Sequence, residues 1–249
     1  MRWIPWTVLG IAAAAMLLYG PIPQTPGYHG FADTRAAFGV PNAGDVLSNL
    51  AFALVGAAGF RVLARAPHSA GRLAYQAFFA SLVLTALGSG YYHLAPDNER
   101  LFYDRVPIAL ACAALIVAVL EDTQGSIPRW TLPALLVAAV ASVLWWSMTD
   151  ARGVGDLRPY LLLQGAPLVL IPLWQAIHPT PRAERIAFGL AIALYVLAKV
   201  AEVNDRAIFE SLGLMSGHTL KHLLAAAGAA MIVVGLARRG PGPSGYHSP

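Results

Sequence analysis

Residues 103–120 read YDRVPIALACAALIVAVL, and this stretch decides the class of fold. After Asp104 and Arg105 no charge appears up to Leu120. An α-helix rises about 1.5 Å per residue, so roughly 20 apolar residues cross the ~30 Å hydrocarbon core of a bilayer. Working outward from this run, the same pattern repeats in both directions. Eight spans are expected, over 3–20, 46–64, 73–92, 103–120, 131–148, 158–177, 185–202 and 215–237. Runs of this length exclude a transmembrane barrel, whose strands need only about 9–11 residues of alternating pattern. Hydrocarbon cannot hydrogen-bond an open backbone, so each span must be a helix.

Composition agrees. Of 249 residues, 57% are hydrophobic and 12% charged, whereas soluble domains carry about 25% charge. Disorder needs the opposite balance. Cys112 is the sole cysteine and lies in an apolar run, which excludes a disulfide scaffold. The net charge of +4 comes without a long basic block, so nucleic acid is not a partner. The expected architecture is an all-α polytopic membrane protein. It has a seven-helix core over 46–237 and an additional N-terminal transmembrane helix over 1–20. A loop fills 21–45, and a disordered Gly/Pro/Ser-rich tail fills 238–249. The first span has the look of a signal peptide behind Arg2, but Trp3, Trp6 and Tyr19 near its ends favour a retained anchor.

With eight spans both termini share one side. That side collects Arg2, Arg61, Arg65, Arg72, Arg129, Arg182, Arg185, Arg238 and Arg239 against Glu121, Asp122 and Glu184. By the positive-inside rule it is cytoplasmic, and the loop 21–45 is exoplasmic. Arg outnumbers Lys fifteen to two and Ala is abundant, which points to a GC-rich bacterial genome and an inner membrane.

Ionisable groups inside spans are expensive and are functional suspects by default. Here they are His93, Asp104, Arg105, Lys199, Glu202, His218, Lys221 and His222. His218 and His222 are four apart, on one helical face. Ser89 precedes His93 by the same spacing, and Asp104 opens the next span. The third span ends on the side where the fourth and eighth begin. Topology therefore gathers Ser89, His93, Asp104, His218 and His222 near one membrane face. Three imidazoles with one open position describe a catalytic zinc. Asp104 could move the water proton to a leaving amine, and Ser89 could hydrogen-bond the water or a developing oxyanion. The competing reading is a set of helix-end residues satisfied by water and headgroups. Lys199 and Glu202, three apart, read as an ion pair or as a headgroup pocket. Arg105 reads as a partner of Asp104, a lipid-phosphate contact or a structural neutraliser. Asp45 is placed to cap the second span. His29, His68, His178 and His247 read as solvated.

Together these residues resemble the alkaline ceramidase and adiponectin/progestin-receptor superfamily of seven-helix membrane hydrolases. Ser89-x-x-x-His93 ends a helix, Asp104 starts the next, and His218-x-x-x-His222 lies in the last. The stretch Pro41 to Asn49, ending in Ser48-Asn49, is similar to the opening of the family's first core helix. The resemblance covers roughly residues 30–237. It implies His93, His218 and His222 as zinc ligands, with Ser89 and Asp104 about the metal water. In the ceramidase branch the reaction is hydrolysis of the amide of an N-acyl sphingoid base. That branch also carries an acidic calcium site before its first core helix. Here only Asp33, Asn42 and Asp45 stand near that position, and calcium takes six to eight oxygens.

Three functions compete. The first is a zinc-dependent amidase acting on ceramide or another N-acyl lipid. The second is a non-enzymatic lipid receptor with a structural zinc. The third is a transporter, which would place its charges at mid-depth. The residues near one face favour the first two, and a free carboxylate beside the histidines favours the first. The sequence is silent on oligomeric state.

Overall fold

The computed structural model describes residues 3–65 and 71–239. Within them the chain folds into ten helices, with one isolated bridge between Ala37 and Val40. They are α1 (Ile4–Tyr19), α2 (Ala43–Leu47), α3 (Leu50–Arg65), α4 (Arg72–Leu94) and α5 (Asn98–Gln124). Then come α6 (Thr131–Asp150), α7 (Arg158–Ile177), α8 (Arg182–Val203), α9 (Asp205–Leu212) and α10 (Gly217–Ala237). Seven spans are long and apolar enough to cross a membrane, with α2 and α3 forming one of them over Ala43–Arg65. The molecule is an all-α polytopic membrane protein. Leu54, Leu87, Val137 and Leu197 stand exposed on the outer surface of the bundle, as hydrocarbon-facing side chains do.

The first expected span, 3–20, is present as α1, a shorter apolar helix of 16 residues, about 24 Å long. It lies antiparallel against α7. Trp6 meets Trp174 edge-on at 5.6 Å, and Arg158 donates to the Met16 carbonyl at the other end. The second span starts earlier than expected, at Ala43, and breaks at Ser48-Asn49. Asn42, in the left-handed region (φ 47°), precedes it. Asp45 does not cap it. Its carboxylate instead accepts from Thr219 Oγ1 at 2.6 Å, joining α2 to α10. The amphipathic α9 was not expected at all.

Six helices, α3, α4, α5, α7, α8 and α10, surround an internal cavity. The α4–α5 and α8–α10 interfaces are extensive, while α7 touches α8 only sparsely. α6 packs outside the ring on α5 and α7. One end is closed by a polar cluster in which Arg239 pairs with Asp122 and Glu184, and Tyr75 donates to Asp122 at 2.6 Å. Arg238 and Arg239, expected in the tail, sit at the end of α10, and 240–249 lie outside the described residues. So do Arg2, His68 and His247.

Segment 21–42 crosses the other end as a lid. Leu157 N–H donates to the Ile22 carbonyl at 2.9 Å, and Ile22 N–H donates to Asp156 Oδ1 at 3.3 Å. His29 is not solvated: its ring bonds the Tyr92 hydroxyl at 2.8 Å and Asn98 at 2.9 Å. Arg35 reaches the Gly213 and Leu214 carbonyls at 3.0 and 2.9 Å.

Candidate metal centre

Under the lid, three histidines meet. His93 comes from the last turn of α4, and His218 and His222 from the first turns of α10. The i,i+4 spacing stacks the last two on one face, and the Ser216 cap orders that turn by accepting from Thr219 N–H at 3.0 Å. The rings form a near-equilateral triangle with centroid separations of 4.8, 5.0 and 4.8 Å. All are buried, with 1%, 4% and 3% exposure for His93, His218 and His222. Each offers a ligand atom within 4.8 Å of the others.

One of the donor separations matches that expected about a small tetrahedral ion. His93 Nε2 and His218 Nε2 stand 3.2 Å apart. Two nitrogens each about 2.0–2.1 Å from a tetrahedral zinc are roughly 3.3 Å from one another. Ser48 Oγ donates to the Asp45 carbonyl at 3.1 Å and stands 2.8 Å from His222 Nδ1. With its proton so engaged, Ser48 accepts from Nδ1–H, and the lone pair of His222 falls on Nε2. His93 Nδ1 is buried without a partner, so packing orients that ring. Phe31 and Tyr92 lie at 4.7 Å from it, and Phe31 also meets His218 at 4.4 Å.

Ser89 on α4 and Asp104 on α5 are both buried and line the same cavity beside the α4–α5 interface. Gly88 permits the approach of the two helices. A Cβ there would stand 2.1 Å from the Tyr103 carbonyl oxygen. Gly217 does the same for α10, where a Cβ would stand 2.2 Å from the Ala201 carbonyl oxygen. Ser89, Asp104 and His222 all border the central cavity of about 420 Å³, whose walls are otherwise mostly apolar. Its size falls within the usual range of small-molecule sites, about 300–1,000 Å³.

The expected Lys199–Glu202 pair is present at 2.5 Å, and Lys221 joins it on the other carboxylate oxygen at 2.6 Å. Arg105 does not pair with Asp104 at ion-pair distance; it bonds Gln24 at 2.5 Å and lies over Trp146 at 4.0 Å. The three residues considered for calcium have separate partners. Asp33 is chelated by Arg35, with two contacts of 2.8 Å, and that guanidinium holds its carboxyl below the usual range. Asn42 donates to the His93 carbonyl at 2.7 Å, and Asp45 binds Thr219.

Sequence reasoning missed Ser48, Phe31 and Asp205 as supports of this centre. Asp205 Oδ1 accepts from His218 N–H at 2.7 Å and Oδ2 from Ala32 N–H at 2.8 Å, so it holds α10 and the lid together. Only Ser48 carried a signal, in the Ser48-Asn49 pair.

Compared with known proteins, the chain matches no family model, no curated protein and no solved structure.

Proposed function

We propose that this protein is a zinc-dependent intramembrane amidase that hydrolyses ceramide or another N-acyl lipid to a free amine and a fatty acid. The observation that carries the reading is one juxtaposition. Three buried histidines gather at one end of the bundle, and one of them, His222, borders the same mostly apolar cavity as buried Ser89 and Asp104. The likeness of the motifs to alkaline ceramidases and adiponectin/progestin receptors supports it. So does their order along the chain.

His93, His218 and His222 would hold the metal, which when bound supplies Lewis acidity and activates water. Hydrolysis adds water across the amide. Oxygen goes to the acyl carbon, a proton goes to nitrogen, and the C–N bond breaks. Asp104 takes the proton from the water and delivers it to the leaving nitrogen. Ser89 orients that carboxylate. The cavity wall formed by Phe78, Leu82, Ile171 and Ile232 receives the acyl chain and excludes bulk water. The distribution of Arg supports an arrangement in a bacterial inner membrane with both termini cytoplasmic and the centre toward the exoplasmic face.

The test measures metal content and fatty-acid release together, using undenatured protein and a panel of N-acyl lipids. One zinc per chain, lost in His93→Ala, and turnover reduced at least a hundredfold in Asp104→Asn with zinc retained are expected. Zinc-bound protein whose Asp104→Asn variant behaves as the parent would favour the receptor reading. Turnover that persists in chelator would exclude the metal mechanism.

A further inference from the structure

The cavity contains a cation that the amidase chemistry does not use. Arg105 is 4% exposed and borders the cavity beside Gln24 and Tyr28. Arg158, Lys221 and Arg239, the other cations drawn into the protein, each pair with a carboxylate. Among the described residues Arg105 has no carboxylate at ion-pair distance. Its Nη2 donates to Gln24 Oε1, and its Nη1 is buried with no partner. A buried guanidinium with an unused donor is costly unless something neutralises it.

The surroundings hold that guanidinium in place rather than satisfy it. Trp146 lies against its face at 4.0 Å, and Trp146 is not part of the cavity wall. Tyr28 and Tyr160 stand at 5.4 and 5.5 Å. Charge points the same way. Arg105, Lys199 and Lys221 face Asp104 and Glu202 around the cavity, and Glu202 is already shared by both lysines. The cations outnumber the carboxylates by one, and of the three only Arg105 has no carboxylate at ion-pair distance among the described residues. A guanidinium with an unused donor suits a planar or tetrahedral oxyanion.

We propose that Arg105 binds an oxyanion, a carboxylate or phosphate, carried on the amine side of the acyl lipid. This rests on the amidase reading for the amide itself and narrows the substrate to anionic N-acyl lipids. The headgroup then lies under lid residues 22–25 against Arg105 and Gln24. The acyl chain lies deeper, among the apolar walls.

Binding to the intact protein in detergent, with chelator present, separates this proposal from hydrolysis and from direct metal contacts. The probes are N-palmitoylglycine, N-palmitoylethanolamine, which shares its chain and amide but is neutral, hexadecyl phosphate and inorganic phosphate. The parent protein should bind both anionic lipids at least about tenfold more tightly than the neutral one, as one charged hydrogen bond allows. Arg105→Gln should erase the preference, and Arg105→Lys should reduce it severalfold. Equal binding of the neutral and anionic lipids by the parent overturns the proposal without any variant. So does a preference that survives Arg105→Gln, or inorganic phosphate competing as well as the acylated anions. If the preference holds but the zinc-loaded protein releases no fatty acid, the amidase reading fails and the oxyanion site stands.

Discussion

Gly88→Ala tests whether the α4–α5 contact positions the chemistry. The new methyl would stand 2.1 Å from the Tyr103 carbonyl oxygen and 2.9 Å from its carbon. Ordinary contact begins at 3.4 Å, so the two backbones must separate by about 1.3 Å. Neither partner is a flexible side-chain tip. Overpacking of this kind costs about 1–3 kcal/mol, which for a chain of this size lowers Tm by roughly 2–12 °C. The larger effect falls on turnover. Ser89 is the next residue on one helix and Asp104 follows Tyr103 on the other, so the shift moves Ser89 away from Asp104. A misplacement of about 1 Å in such a site is worth on the order of a hundredfold in rate. Gly90→Ala is the control, because nothing lies within 4 Å of its added methyl. Thermal unfolding in detergent and fatty-acid release, measured on both variants, check the expectation. If Gly88→Ala and Gly90→Ala match in Tm and in turnover, the close approach does not position the site.

Two further expectations follow from the same contacts. Ser48→Ala removes the hydroxyl beside His222 Nδ1 and should weaken zinc about 10–100-fold in chelator competition with the fold intact; unchanged affinity would show that this bond does not orient the ring. Asp156 sits in the loop before α7, and its hydrogen bonds to Arg158 and Trp145 hold its carboxyl well below the usual range. A depressed folded value means that the stabilisation is present above about pH 4 and is lost as pH falls through the folded value. Asp156→Asn should therefore lower Tm at pH 7 and flatten the acid-side decline of the parent, whereas parallel Tm–pH curves would remove Asp156 from that account.

The fold was legible because its signal is local. A run such as Val106–Leu120 states its own environment, and long spans survive errors of a few residues at their ends. The centre was legible for a related reason. His93, His218 and His222 are ionisable groups at span ends, and alternation of direction brings those ends together without knowledge of packing. What the sequence hides is set by contacts between helices. Lys221 and Glu202 are nineteen residues apart on different helices, and no periodicity joins them. Arg105 looked like a partner for its neighbour Asp104, but adjacent residues on a helix point in different directions, and Trp146 and Gln24 claimed it instead. α9 escaped because eight residues are fewer than two full heptads of pattern. Asp45 looked like a cap because acids often begin helices, yet α10 supplied a hydroxyl for it across the interface.

Asp205 divides one carboxylate between two backbones, the His218 amide and the Ala32 amide. The lid and the start of α10 are thereby mechanically in series. A cargo that lifts the lid to enter must loosen the helix turn that presents His218. By reciprocity, if an ion binding at His218 strains that turn, it would load the lid through the same carboxylate. On the proposed reading, occupancy of the histidine cluster and access to the cavity would be linked through this one aspartate.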